Sequence, residues 1–509
     1  MKLVSDIMRL SGRDLRDSVL SILTDEWPLS AREIYKRVSK DYKINVTYQG
    51  VHKAVRQMAD EGLLVPREGK YSINLQWVNQ LVSFGKKVEG AYKSNAAAPA
   101  LEVGAGSSTD NDAFEAGKEA ARKALKCLNF NSKHQLVLVF CSSSYDGHYA
   151  ELLKGIRSVT GSTPLAGCTT LGGEIFNSPL SKSVVVSIFS SDTDAFTATT
   201  HAIPIPAEAY KGKTKELEKR IVHGVSVHPD EKGFGIVLFP GYTIASGMQT
   251  AALFAMPILS RLFGKNFPLI GGLAGDDWKF NSTALFKDGE VIETSMILVK
   301  ATTSLPFELS NESAYFNKKT PKYVLTFNKK GYVVRITPKA GGKPLDAITG
   351  YSTAAGVSES TVRKYLPQFI KDTVSMNLLP PLLSQEGKRL NYLLSVEGNN
   401  LNIQPGFKTG DVVQIGHTSP QKMVELVGSM ARQMVSHITK PACILLLPCG
   451  FFEAVISRAG LDEVAAAKAR LPKNAPVVGF YCAGEIGGKA FPLGNGTASM
   501  LVIGSERYD

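Results

Sequence analysis

The sequence is short of the residues that would commit it to metal, disulfide or membrane chemistry. Six cysteines stand at 127, 141, 168, 443, 449 and 482, with no Cys-x-x-Cys pair. Neither a zinc site nor a disulfide framework is indicated. Eight histidines are scattered without His-x-x-x-His or His-Glu-x-x-His spacing, so no metal and no cofactor is expected. No apolar run approaches the roughly 20 residues of a membrane span. The stretch Met1–Ile7 lacks the apolar core of a signal peptide. The expectation is a cytoplasmic protein without a membrane partner. Catalytic signatures are also missing. Gly212-Lys-Thr214 has the end of a phosphate-binding loop, but Ala207 stands where its first glycine is required and no strand precedes it. Ser142–Ser144 lacks the Gly-x-Ser-x-Gly frame of a hydrolase elbow. A non-enzymatic role is favoured.

What the chain does have is internal repetition, the feature to read first. Three apolar runs, Leu136–Phe140, Ile236–Phe239 and Ile444–Leu447, each stop at a turn-forming group, Cys141–Ser144, Pro240-Gly241 and Pro448–Gly450. A helical stretch follows each. Then comes a Pro-apolar-apolar-Gly step at Pro164–Gly167, Pro268–Gly271 and Pro476–Gly479. Next is a small-Gly-acid triplet, ending in Glu174, Asp276 and Glu485, and last a closing strand at Val184–Ile188, Met296–Val299 and Met500–Ile503. Pro240 to Gly271 spans 31 residues, Pro448 to Gly479 spans 31 again, and Cys141 to Gly167 spans 26. The predicted fold class is α/β, with three strand-helix-strand-strand repeats. At 509 residues the chain exceeds one core. Its 44% hydrophobic and 20% charged content describe a globular protein.

Residues 1–78 read differently. Leu15–Leu23 carries apolar residues at helical spacing. Ser30 with Glu33 makes a capping box for Ala31–Tyr42, and Thr47 caps a helix that Gly62 ends after Glu61. Leu63–Val65 and Tyr71–Ile73 flank the turn Pro66–Lys70. Helix, helix, helix, hairpin is the order of a winged helix-turn-helix, and the stretch resembles archaeal winged-helix regulators. Its third helix presents Gln49, His52, Lys53, Arg56 and Gln57 away from Val51, Val55 and Met58, and the wing offers Arg67 and Lys70. Gln and Arg can read base edges, while Lys anchors phosphate. Double-stranded DNA is therefore an expected partner. The net charge of +12 is compatible with this. Residues 1–75, however, hold 13 Lys/Arg against 10 Asp/Glu, and such modules also serve as protein-docking surfaces. A helix over Leu75–Tyr92 and a flexible linker over Ser94–Asn111 are expected next, so that 79–111 joins the module to the body.

In the body, Leu165–Ile175, Gly479–Ile486 followed by Asn495–Thr497, and Tyr332–Ile336 with Lys343–Ile348 carry a family resemblance. With these motifs the body resembles the FIST domain, a sensory module with an N-terminal and a C-terminal half, taken here as 112–340 and 341–509. The resemblance implies a protein that senses a small, amino acid-like ligand and passes the signal to an output. The family usually places an Arg after its Cys-x-Gly, whereas Cys449-Gly450 leads into Phe451-Phe452. This implies a less anionic ligand.

In open α/β sheets, ligands sit beyond the carboxyl ends of strands. The expected pocket lies between the halves, with Cys449, Gly450, Phe451, Phe452, Tyr481, Cys482, Gly484, Glu485, Asn495 and Thr497. Cys141, Ser142, Glu174 and Asp276 are the counterparts in the other repeats. The acids would accept an amine, or else brace their own hairpins. The paired thiols are more often inert than redox-active. Two functions stand: a one-component transcriptional regulator, or a small-molecule enzyme or interaction scaffold that uses the winged helix for docking. A homodimer is left open.

Overall fold

The computed structural model describes residues 15–42, 44–82, 99–129, 133–191, 194–226, 231–246, 248–264, 267–316, 320–366, 379–385, 390–404, 406–438, 440–487 and 493–506. The chain divides into two compact units, Met1–Ala98 and Pro99–Asp509. Among the described residues, no helix is long and apolar enough to cross a membrane.

The first unit comprises α1 (Leu15–Asp25), β1 (Leu29–Ser30), α2 (Ala31–Asp41), α3 (Tyr48–Asp60), β2 (Leu64–Arg67) and β3 (Lys70–Ile73). The Ser30 hydroxyl accepts from the Glu33 amide at 3.3 Å and the Glu33 carboxylate accepts from the Ser30 amide at 2.7 Å, which fixes where α2 begins. Thr47 caps α3 through the Gly50 amide. Val19, Ile34, Val38, Val51, Val55 and Met58 are fully buried between the three helices. β1 is absent from the sequence reading; it pairs with β3 and gives the order β1-β3-β2. Residues 75–82 are helical. The remainder of the helix expected to Tyr92 lies outside the described residues, as do residues 94–98 of the expected linker.

The second unit holds three six-stranded sheets with one strand order. The first sheet takes β4 (Glu102–Ser108), β5 (His134–Cys141), β6 (Leu165–Thr169) and β9 (Val184–Ser190). The second takes β10 (Phe196–Pro204), β11 (Gly233–Phe239), β12 (Leu269–Leu273) and β15 (Ser295–Thr303). The third takes β16 (Phe307–Ser313), β25 (Pro441–Pro448), β26 (Val477–Phe480) and β29 (Thr497–Gly504). In each, the first two apolar strands pair in parallel (β5 with β6, β11 with β12, β25 with β26), and the closing strand runs antiparallel between the first and an outer strand.

The last two places in each sheet belong to a hairpin from another repeat. β7–β8 (Glu174–Phe176, Pro179–Leu180) pairs with β26. β13–β14 (Leu285–Lys287, Glu290–Ile292) pairs with β6. β27–β28 (Glu485–Ile486, Leu493–Gly494) pairs with β12. The exchange runs in a ring, first repeat to third, second to first, third to second.

These strands read as unbroken apolar runs because both faces are covered. Leu138 and Phe140, Ile236 and Leu238, and Leu445 and Leu447 meet in one core shared by the sheets. The alternate residues Val139, Val237 and Leu446 face the helices of their own repeats. These helices are α4 (Ala113–Lys126) and α5 (Tyr149–Thr160), then α6 (Lys215–Gly224) and α7 (Ala252–Phe263). In the third repeat they are α10 (Pro420–His437), α11 (Gly450–Ile456) and α12 (Glu463–Lys468). Between β16 and α10 the chain inserts an eight-stranded sheet, β17 to β24 (Tyr323 to Ile415), with α8 (Ala347–Ala355) and α9 (Glu359–Tyr365).

One expectation needs correction. The linker reading extended to Asn111, but Glu102–Ser108 is a paired outer strand. The small residues there serve contact, not flexibility. A Cβ on Gly104 would lie 2.2 Å from the Ala124 carbonyl, and one on Gly106 2.5 Å from that of Ala120, because α4 lies directly on β4. The expected division at 340 falls within the inserted sheet. β16 belongs to the third sheet, and the inserted sheet spans both sides of the cut.

Candidate functional site

The three triplet loops interlock through backbone hydrogen bonds. The Gly275 and Asp277 amides donate to the Thr169 and Thr170 carbonyls, the Leu171 amide to Tyr481, and the Ala483 amide to Leu273. A Cβ on Gly275 would lie 2.3 Å from the Leu171 Cα, so this triplet glycine permits loop-to-loop contact.

Above this junction lies a cavity of about 30 Å³. Its wall takes Leu171 from the first repeat, and Tyr242, Met248, Trp278 and Phe280 from the second. Cys449, Phe451, Ala483 and Asn495 come from the third repeat, and Leu394 and Gln404 from the inserted sheet. The loops after β5's counterparts β11 and β25 supply Tyr242 and Cys449, as strand-end geometry requires. Asp277, Trp278 and Phe280 hold φ of 52°, 66° and 55°, a left-handed run that costs energy for side chains of this size. The run turns both rings into the cavity wall. Phe451 is stacked on Tyr392 (4.0 Å, 8°) and meets the Trp278 ring edge-on at 5.7 Å.

Of the residues expected from sequence, Cys449, Phe451 and Asn495 line the cavity. Phe452 and Cys482 are buried in neighbouring cores. The Tyr481 hydroxyl donates to Glu463 Oε1 at 2.5 Å. The Gly484 carbonyl accepts from the Leu273 amide, and Gly450 packs on Leu171, where a Cβ would meet Cδ2 at 2.7 Å. Glu485 is fully buried; its Oε2 accepts from the Thr497 amide (3.1 Å) and hydroxyl (2.9 Å), and the Cys449 thiol lies against the same carboxyl. Burial pushes Glu485 up to about 8, so it is protonated at neutral pH.

Glu174 follows the same plan in the first repeat. Its oxygens accept from Thr170 Oγ1 (2.8 Å) and Ser183 Oγ (2.6 Å), and burial pushes it up to about 8. Asp276 departs from it and accepts from the amides of Phe280, Asn281 and Ser282. Asp277 instead reaches the first repeat, accepting from Ser142 Oγ and from the Ser143 amide and hydroxyl at 2.7–2.8 Å. Cys141 is buried in the first repeat, and burial raises its thiol, as it does those of Cys449 and Cys482. Desolvation of this kind makes a thiol inert.

Sequence reasoning reached Tyr242 only as part of a strand end where ligands bind, and did not place Leu171, Met248, Trp278, Phe280, Leu394, Gln404 or Ala483 in the site. Tyr242 follows one of the three strand ends that the repeat marks, and so had a signal. Gln404 and Leu394 come from an insertion with no counterpart in the other repeats, and had none. In the first unit, Gln49, His52, Lys53, Arg56, Gln57, Arg67 and Lys70 are all exposed, and Gln57 donates to Glu61 at 3.0 Å.

A FIST N domain matches residues 135–336, and a FIST C domain matches residues 361–488. No curated protein matches the chain. Among solved structures, a cyanuric acid hydrolase from A. caulinodans aligns at 9% identity over 40% of this chain and 72% of its own, with a TM-score of 0.24. That likeness is too weak to carry a functional argument. FIST domains are in general sensory modules that bind small ligands in signal transduction. The two matches together take in more than half of the chain, and it is a FIST-domain protein.

Proposed function

We propose that this chain is a ligand-sensing, one-component transcriptional regulator. The FIST body binds a small molecule in the central cavity, and residues 1–78 act as a winged helix that docks on duplex DNA. The observation that carries the sensory half is the cavity itself, where loops of all three repeats and the inserted sheet converge. A molecule held there meets residues of all three repeats and of the inserted sheet, so it can favour one arrangement of those parts over another.

The DNA half is supported by the exposed polar face of α3 and by the two basic residues of the hairpin. Binding of the full chain to labelled duplexes, followed by fluorescence anisotropy with and without candidate metabolites, tests both halves. Arg56→Ala is expected to weaken the preferred duplex about 10- to 100-fold, the worth of a base-reading pair. Lys70→Ala is expected to weaken all duplexes alike and to reduce the salt dependence by about one ion. Absence of binding to any duplex at low salt would turn residues 1–78 into a protein-docking module.

A further inference from the structure

The cavity's lining restricts what it can hold. Among the described residues, none of the eleven that line it carries a charge. The carboxyl behind Cys449, Glu485, is sealed from it by burial and is protonated at neutral pH. A free amino acid placed here would bring an ammonium and a carboxylate to walls that can neutralise neither, and unpaired buried charge is strongly disfavoured.

The polar groups that do reach the cavity are neutral and complementary. Gln404, 8% exposed, accepts from the Tyr392 amide through Oε1 at 3.0 Å, and its side-chain nitrogen makes no hydrogen bond to the described residues. It remains a donor. Asn495 donates through Nδ2 to the Leu390 carbonyl at 3.4 Å, which leaves its own oxygen as an acceptor. The Tyr242 hydroxyl, in a side chain 4% exposed, makes no hydrogen bond to the described residues and can serve either role. The remaining wall is apolar: Phe451, Trp278 and Phe280 stand edge-to-face, with Leu171, Met248, Leu394 and Ala483 beside them. A volume of about 30 Å³ is roughly the share of one water molecule in the liquid, so it takes one small polar group rather than a whole ligand.

We propose that the cavity binds a neutral carboxamide- or urea-type group as the buried end of a larger molecule. It excludes carboxylates, ammonium ions and zwitterions. The proposal rests on the reading of this cavity as the ligand site.

A matched set of small probes tests it: acetamide, acetate, ethylammonium and glycine, each at the same millimolar concentration with the full chain, read by saturation-transfer NMR. Acetamide is expected to give a signal at least tenfold above the three charged probes. Gln404→Leu and the near-isosteric Tyr242→Phe are each expected to lower that signal severalfold, with unchanged circular dichroism. Tyr242→Phe keeps the test open should Gln404→Leu fail to fold. A glycine or acetate signal equal to that of acetamide, and lost in the same variants, would overturn the ligand class while leaving the cavity as the site. Signals absent, or indifferent to both substitutions, would overturn the site and the ligand class together.

Discussion

Glu485 and Glu174 are acids that sequence leaves between an amine site and a hairpin brace, and in the fold both are buried and hydrogen-bonded within their own repeats. Each joins the start of a donated hairpin to the start of the closing strand of its own repeat, through Thr497 and Ser183 respectively. Both have folded values near 8 against an ordinary 4.5, because burial disfavours the charged form. The folded chain therefore keeps protons that the unfolded chain releases. The stability linked to these sites is complete below pH 4.5 and is lost as pH rises toward 8. Over that window the wild type should lose on the order of a few kcal/mol, since a tenfold change in proton affinity is worth about 1.4 kcal/mol. Glu485→Gln should flatten part of the loss. Urea midpoints between pH 5 and 8.5 check this; parallel curves for the two proteins would acquit the acid. Gly479 makes a second case at this scale. Its φ of +154° and a Cβ position 1.8 Å from the Leu446 carbonyl leave no room for a side chain. Gly479→Ala should cost about 1–3 kcal/mol in denaturant, and Gly271, 1.8 Å from the Val237 carbonyl, should behave alike.

At the level of elements, the sequence shows what is local and hides what is exchanged. The apolar runs, capping boxes and Pro-apolar-apolar-Gly steps are written in neighbouring residues. The structure has strands at His134–Cys141, Gly233–Phe239 and Pro441–Pro448, and a capped helix at Ala31–Asp41, where those signals stand. The donated hairpins and the outer strands β4, β10 and β16 pair with partners far along the chain, and their composition does not name the partner. Ile175 shows the difficulty. It sits in the first repeat by sequence, yet its side chain is fully buried in the core that holds Ile444, Leu446 and Val477 of the third. Part of the site was hidden for a similar reason, since Gln404 and Leu394 arrive from an insertion. Ile175→Ala should destabilise by about 2–4 kcal/mol, as core truncations do. The loosening should appear in hydrogen exchange at β26, its hydrogen-bonded neighbour, rather than at β5. Exchange that rose in the first sheet alone would mean that the hairpin is not a working part of the third.

For the body as a whole, the ring of donated hairpins makes each sheet depend on another repeat. The first sheet is closed by β13–β14 of the second repeat, the second by β27–β28 of the third, and the third by β7–β8 of the first. Removing any repeat exposes strand edges in those that remain and opens the common core around Phe140, Phe234 and Phe480. Phe140 and Phe480 face each other across two repeats at 4.7 Å. A fragment of residues 99–340, ending where the family resemblance divides the two halves, keeps the first sheet intact, because β13–β14 lies within it. The same fragment strips β27–β28 from β12, leaves β7–β8 without β26, and leaves β16 without β29. Unpaired edges and an open apolar core are the conditions for aggregation. The full body, Pro99–Asp509, is therefore expected to unfold in one cooperative transition, coincident by far-UV circular dichroism and tryptophan fluorescence, since Trp278 lies at the junction of the repeats. The 99–340 fragment is expected to bind hydrophobic dye and to lack a sharp transition. A fragment that instead unfolded cooperatively at the midpoint of the full body would show that the repeats fold independently and that the hairpin exchange adds little to their stability.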